Sequence, residues 1–191
     1  FQAVQLDRVQ IQGHDQGRIA GKHGKGVIPG RGHGNAVVAR LDVQALEQDI
    51  YIDLNEMERS MASTDQVKVV TQIDRFRGGF TGNTNFSSAR RYLIMPDDDL
   101  STVRSDMVMD VGEVNMADGQ TLVDFVTWAV ENYPADKYML IMSDHGMGWP
   151  GGWTDPDPAG RDGGSAPLVS ALPNDALYLN ELDAALAKIQ S

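Results

Sequence analysis

The chain has 191 residues, 41% of them hydrophobic and 23% charged, a size and balance suited to one domain with a sizeable core. It contains no cysteine, which excludes disulfides and thiolate metal sites, and no apolar run approaches the ~18–20 residues of a membrane span. The net charge is −11 but unevenly placed: residues 1–40 hold six Lys/Arg against two acids, and residues 41–191 hold ten against twenty-five. An acidic body of this kind argues against nucleic acid or an anionic membrane as partner.

Taken in order, residues 1–35 differ from everything after them. Eight of the 20 glycines and three of the four histidines fall there, without apolar periodicity, so the sequence predicts an irregular or disordered Gly/His-rich arm ahead of a domain at 36–191. A phosphate loop is not formed: Gly17 and Gly21-Lys22 are one residue too close, and His23 stands where Ser or Thr is needed. The glycines at 30, 32 and 34 have the wrong spacing for a dinucleotide fingerprint. His14, His23 and His33 lie nine and ten residues apart without acidic partners, which makes a poor metal set. The first residue is Phe rather than Met, and no leader pattern follows, so a processed or partial chain is expected.

Residues 36–41 (AVVARL) read as a strand, and Asp42 can cap a helix running to about Met61. In that helix Leu46, Ile50, Leu54 and Met57 form one apolar stripe, leaving Asp49, Asp53, Glu56 and Glu58 on the expected solvated face. Residues 67–73 (VKVVTQI) are a second strand, and residues 89–95 an edge strand ended by Pro96 and three aspartates. Calcium binding at Asp97-Asp98-Asp99 competes with the ordinary preference of turns for Asp. Residues 107–114 are short and extended. Asp118 then caps a helix over 120–132, with Leu122, Phe125, Val126, Ala129 and Val130 on its apolar face. Pro134 stops it, and residues 138–142 (YMLIM) form a run without alternation, the pattern of a strand buried on both faces in a parallel sheet.

That strand runs into Ser143-Asp144-His145-Gly146, so His145 follows its carboxyl end, where open α/β sheets place their chemistry. Four glycines between 146 and 152, with Trp149 among them and Trp153 just after, make the loop unusual. Adjacency of Ser143, Asp144 and His145 argues against a Ser-His-Asp triad, whose members converge from separate segments. No second histidine at helical spacing supports zinc. The following stretch, 154–167, is polar and rich in Pro and Gly; its Asp155, Asp157 and Asp162 lack the spacing and closing Glu of a calcium loop. Residues 179–190 read as a final helix, with Leu182, Leu186 and Ile189 on one side.

The strand followed by Asp144-His145-Gly146, Gly148 and Trp149 closely resembles the histidine segment of the clostripain family of cysteine peptidases, within the caspase-like group. The likeness extends to 110–118 (DVGEVNMAD), the helix 120–132, Tyr133-Pro134-Ala135, the acidic helix turn 53–58 and the strand 67–74, covering about 43–190. It implies a caspase-like three-layer α/β/α sandwich with a mostly parallel sheet, truncated at its C-terminal side. It implies a cysteine endopeptidase cutting peptide or protein substrates after Arg or Lys. His145 would serve the thiolate and the leaving amine, and the Gly146 amide would line the oxyanion hole. Trp149 and Trp153 would either wall the cleft or pack the loop. Arg161 would be the one basic residue of the downstream loop open to self-processing. The resemblance also favours a secreted or cell-envelope location and requires no cofactor, calcium being the one candidate. Since the nucleophilic cysteine is absent, the chain alone is expected to be inactive, with an open edge on the histidine strand. The competing reading is a non-catalytic caspase-like binding domain.

Overall fold

Alternating β and α patterns of this kind must bury the two faces of a sheet beneath helices. The computed structural model describes residues 2–7, 35–41, 47–75, 86–144, 151–155 and 175–191. Within them lie strands β1 (Gln2–Asp7), β2 (Asn35–Leu41), β3 (Val67–Ile73), β4 (Ala89–Leu93), β5 (Asp106–Gly112), β6 (Lys137–Ser143), β7 (Gly151–Asp155) and β8 (Asp175–Tyr178). Helices α1 (Glu47–Ser60), α2 (Gly119–Asn132) and α3 (Leu179–Gln190) complete the α/β arrangement.

Six strands form one sheet in the order β1-β6-β2-β3-β4-β5. Its centre is parallel: β2 pairs with β3 on one side and with β6 on the other, with Leu41 opposite both Ile73 and Ser143. Outside that trio every pairing is antiparallel, β1 with β6, β3 with β4 and β4 with β5. The sheet is therefore mixed, which corrects the expectation of a mostly parallel one. The reason is local. Helix α1 leads from β2 to β3 and helix α2 leads into β6, whereas β3, β4 and β5 follow one another with no helix between them among the described residues and fold back antiparallel.

Three further expectations change. Residues 2–7, read as part of an irregular arm, form β1; Val4 and Leu6 alternate with Gln5 and Asp7, a strand pattern that the glycines farther along obscure. Residues 8–34 lie outside the described part. Because β1 pairs with β6 from Gln2↔Met142 to Asp7↔Lys137, the histidine strand has partners on both sides, not an open edge. And β4, expected at an edge, is interior because β5 pairs along its outer side. The edge strand is β5 itself, whose Met107, Val108 and Met109 are exposed.

The two faces of the sheet carry separate cores. On one, α1 contributes Ile50, Tyr51, Leu54 and Met57 to a cluster with Val69, Ile73, Tyr92 and Ile94. On the other, Leu122, Phe125, Val126 and Ala129 of α2 and Leu182, Ala185 and Ile189 of α3 pack with Val70, Tyr138, Leu140 and Met142. Strand alternation sorts β3 between them, Val69 to the first and Val70 to the second. In β6 the sorting is unequal. Tyr138, Leu140 and Met142 are buried on the α2–α3 side, whereas on the other Met139 is exposed and Ile141 half-buried against the α1 cluster, so this strand is covered fully on one face and partly on the other. Helix α2 begins at the predicted cap: the Asp118 carboxylate accepts the Gln120 N–H at 2.8 Å. Helix α3 docks on its first turn, where a Cβ added at Gly119 would meet the Glu181 carbonyl at 3.4 Å and Ala185 Cβ at 3.5 Å. No helix among the described residues is long and apolar enough to cross a membrane.

Candidate functional site

Because Leu41, Ile73 and Ser143 stand side by side, the chain leaves three neighbouring parallel strands at one level. This is the end of the sheet where α/β domains collect polar chemistry. Asp74 follows β3 and Asp144 follows β6. Asp74 accepts the Arg75 N–H at 2.9 Å, and Arg75 is wholly buried. Its guanidinium lies 5.3 Å from the ring centroid of Tyr51 and 4.8 Å from that of Phe86. A buried guanidinium against two aromatic faces is held by their negative π clouds, and it braces the exit of β3 against α1.

The exit of β6 is held differently. Asp144 Oδ2 accepts the Thr154 backbone N–H at 2.6 Å and the Thr154 hydroxyl at 3.3 Å, joining the end of β6 to β7. Beside it, Asp155 is completely buried and accepts the Met116 N–H at 2.6 Å, joining β7 to the turn ahead of α2. The same methionine receives Gln72 Nε2 on its sulfur at 3.2 Å, and Gln72 Oε1 accepts Arg91 Nε at 2.8 Å. Arg91 in turn lies over Phe125 and Trp128, at 5.6 and 4.7 Å from their centroids. Burial lowers the Arg91 pKa to about 10, well below the usual guanidinium range, against the pull of Asp124 toward the charged form. A polar line thus runs through the α2–α3 side of the sheet from β4 to β7.

Among the described residues strand β7 pairs only with β8, antiparallel, with a register shift between Gly151 and Trp153. Trp153 is 7% exposed and joins the cluster of Leu122, Leu177 and Ala185. Strand β8 passes directly into α3, and there the Tyr178 N–H is capped by the Glu181 carboxylate at 2.9 Å. The 151–155 segment, legible only as the tail of a glycine-rich loop, is therefore a strand tethered at three points.

His145, Gly146, Trp149 and Arg161 lie outside the described residues, as do Asp157 and Asp162. Of the calcium candidates that remain, Asp97 and Asp99 face Arg104 at 3.6 and 2.8 Å. Hydrogen bonds from the Ser101 hydroxyl and from Arg104 hold Asp99 at about 2, below its ordinary 3.8. Among the described residues no three His, Asp or Glu side chains form a metal-binding group. Reading from sequence missed Asp155, Gln72, Met116 and Arg91. The available signal was weak, a polar Gln in a strand otherwise apolar and an Arg pair at 90–91 flanking a tyrosine.

Comparison with known proteins gives consistent results. The model of the clostripain family matches residues 42–188. Clostripain of Hathewaya histolytica is 28% identical over 112 residues, an alignment covering 54% of this chain and 21% of that protein. A solved structure of a secreted C11 cysteine protease from Bacteroides thetaiotaomicron, in complex with an irreversible peptide inhibitor, superposes with a TM-score of 0.57. It is 21% identical and the match covers 82% of this chain and 39% of that one. A B. fragilis cysteine protease structure gives a TM-score of 0.44 at 20% identity, over 61% of this chain and 92% of that one. The chain thus spans about a fifth of the curated relative.

Proposed function

From the premise that this chain belongs to the clostripain family, we propose that it is the histidine-bearing part of a cysteine endopeptidase that cuts peptides or proteins after Arg or Lys. In this reading the complete domain is a caspase-like three-layer sandwich, and its nucleophile comes from outside these 191 residues, which hold no cysteine. The thiolate attacks the scissile carbonyl, and His145 takes up the thiol proton and then delivers it to the departing amine. The Gly146 N–H donates to the oxyanion that develops. Secretion is part of the proposal, as is an acidic body that draws in cationic segments; the net charge of −11 favours such substrates electrostatically.

The observation that carries the reading is the end of the sheet. Strand β6 sits inside the sheet and ends level with β2, its exit joined to β7 by Asp144, and this supports the reading because residue 145 follows next in the sequence. The family match extends across it, from 42 to 188. The experiment compares the purified 191-residue chain with the product of the full reading frame, using fluorogenic peptides ending in Arg, Lys, Leu or Asp. The chain alone should be inactive. The full product should cleave only the Arg and Lys peptides and lose activity in His145→Ala. Hydrolysis by the 191-residue chain, or full activity in His145→Ala, would overturn the proposal. A full product that binds peptides without cutting them would favour the non-catalytic domain instead.

A further inference from the structure

Five methionines are exposed among the described residues: Met61, Met95, Met107, Met109 and Met139. Among the same residues two methionine sulfurs accept hydrogen bonds, those of Met109 and Met116. Arg91 Nη1 donates to Met109 Sδ at 3.6 Å, across a register pair that joins β4 to the edge strand β5. Met116, by contrast, is completely buried.

A chain of bonds runs between the two sulfurs. Arg91 Nε donates to Gln72 Oε1 at 2.8 Å, and Gln72 Nε2 donates to Met116 Sδ at 3.2 Å. Arg91 is 6% exposed, and the rings of Phe125 and Trp128 hold its guanidinium in place. On its outer side, then, an enclosed cation ends on a side chain that solvent reaches, since Met109 is 38% exposed. A thioether is a weak acceptor and serves a guanidinium poorly. An oxygen carried on that sulfur serves it better, because hydrogen bonds from an ionised donor to oxygen are about twice as strong as neutral ones.

We infer that Met109 is an oxidation site for hydroperoxides, and that its sulfoxide fastens the edge strand β5 to Arg91. In the step a sulfur lone pair attacks one peroxide oxygen, forming the S–O bond as the O–O bond breaks. The sulfur gives up two electrons, and the departing oxygen takes a proton and leaves as water or an alcohol. The exposed side chain turns so that the new oxygen, in place of the sulfur, meets Arg91 Nη1, and no polar group has to be buried. Met57, Met116 and Met142 are buried, where a sulfoxide would disrupt packing and where peroxide does not reach. Reduction by methionine sulfoxide reductases returns the thioether, so the change is reversible. The site stands apart from the peptidase reading and does not depend on it.

The test treats the 191-residue chain with limiting hydrogen peroxide and follows each methionine by peptide mass spectrometry. Met109 should gain one oxygen while Met116 stays unmodified until the fold is melted. Tm is then measured before and after oxidation for wild type, Met109→Leu and Met107→Leu. The shift on oxidation in wild type should lie about 2–4 °C above the shift in Met109→Leu, the scale of one stronger bond in a domain of this size. Met107 is more exposed, and its sulfur accepts no hydrogen bond among the described residues, so Met107→Leu should shift as wild type does. Methionine sulfoxide reductase with dithiothreitol should remove the difference. Equal shifts in wild type and Met109→Leu, or a wild-type shift below that of the variant, would overturn the fastening, as would loss of the difference in Met107→Leu. A difference that survives the reductase would overturn reversibility. Met109 left unmodified under conditions that oxidise Met107, or Met116 oxidised in the folded chain, would overturn the site itself.

Discussion

Glu58 offers the sharpest test of how this fold is held together. It lies on the acidic helix α1, yet it is 1% exposed, and its Oε1 accepts the backbone N–H groups of both Arg104 and Ser105. Those amides lie just before β5, and the buried carboxylate is their partner. Glu58→Ala leaves both donors without it; the Ser105 amide is buried and the Arg104 amide partly so, and at about 1–3 kcal/mol for an unsatisfied buried group, less for the half-buried one, the loss is about 2–5 kcal/mol. For a domain of this size that corresponds to a fall in Tm of about 5–15 °C. Glu58→Gln keeps an acceptor oxygen but puts an NH2 where Oε2 is buried without a partner, so it should fall between, at about 1–2 kcal/mol. Glu56→Ala, one residue type and two positions away on the exposed side, should change stability by under about 0.5 kcal/mol. Urea titrations followed by circular dichroism would give the three values, comparable as long as the m-value stays constant. Equal stabilities for the two alanine variants, or a glutamine variant below alanine, would refute the reasoning.

The other predictions concern separate parts of the chain. Asp99 has its folded pKa depressed to about 2 from 3.8, so the stability it lends is present above 3.8 and lost as pH falls through about 2. Asp99→Asn should flatten the acid limb in that window, measured by thermal melts from pH 5 downward. Arg91→Lys should cost about 1–3 kcal/mol, because an ammonium cannot keep the Nε bond to Gln72 while stacking on Phe125 and Trp128; a stability within error of wild type in urea would count against that. Tyr138→Phe removes the hydroxyl that accepts the Ala135 N–H at 2.7 Å and should cost about 1 kcal/mol. Burial raises the Tyr138 pKa above 10.0, so its contribution is complete below pH 10 and lost above it, and the Phe variant should close on wild type as pH rises further.

Where the sequence carried strong local periodicity, the fold was legible. Strand β3 and helix α3 occupy their expected residues, and α2 follows its expected cap, because each combines a repeating apolar pattern with an end signal. Glu58 shows the limit of that method. Three residues of the expected stripe, Ile50, Leu54 and Met57, are buried on α1, but the buried face is wider, taking in Asn55 and Glu58, and nothing in helical spacing tells a charged residue at the stripe's margin from one facing water. Strands β1, β7 and β8 were missed for another reason. Each is short, and each is stabilised by a partner far away in sequence, β1 by β6 and β7 by β8 across 19 intervening residues. Strand formation depends on that context more than on composition.

The site divides along the same line. The family likeness was legible because its histidine segment follows an apolar strand in a recognisable sequence, whereas the groups that hold the exit of that strand were not. Asp155 was read as one acid of a polar loop and proves to be buried, bonded to a backbone amide 39 positions earlier. Asp144 could be given no place. Both act by accepting main-chain N–H groups, and a main-chain donor leaves no residue type for a sequence to display. A side chain paired with another side chain can be guessed from complementary charges; a side chain paired with backbone cannot. Yet the physical demand is strong, since a buried carboxylate needs donors and a strand pinned at only one edge needs them on the other. Two aspartates, neither at a helix start, in this fold tie the exit of β6 to β7 and β7 to the turn ahead of α2, and mutating them should loosen β7 before it disturbs the rest of the domain.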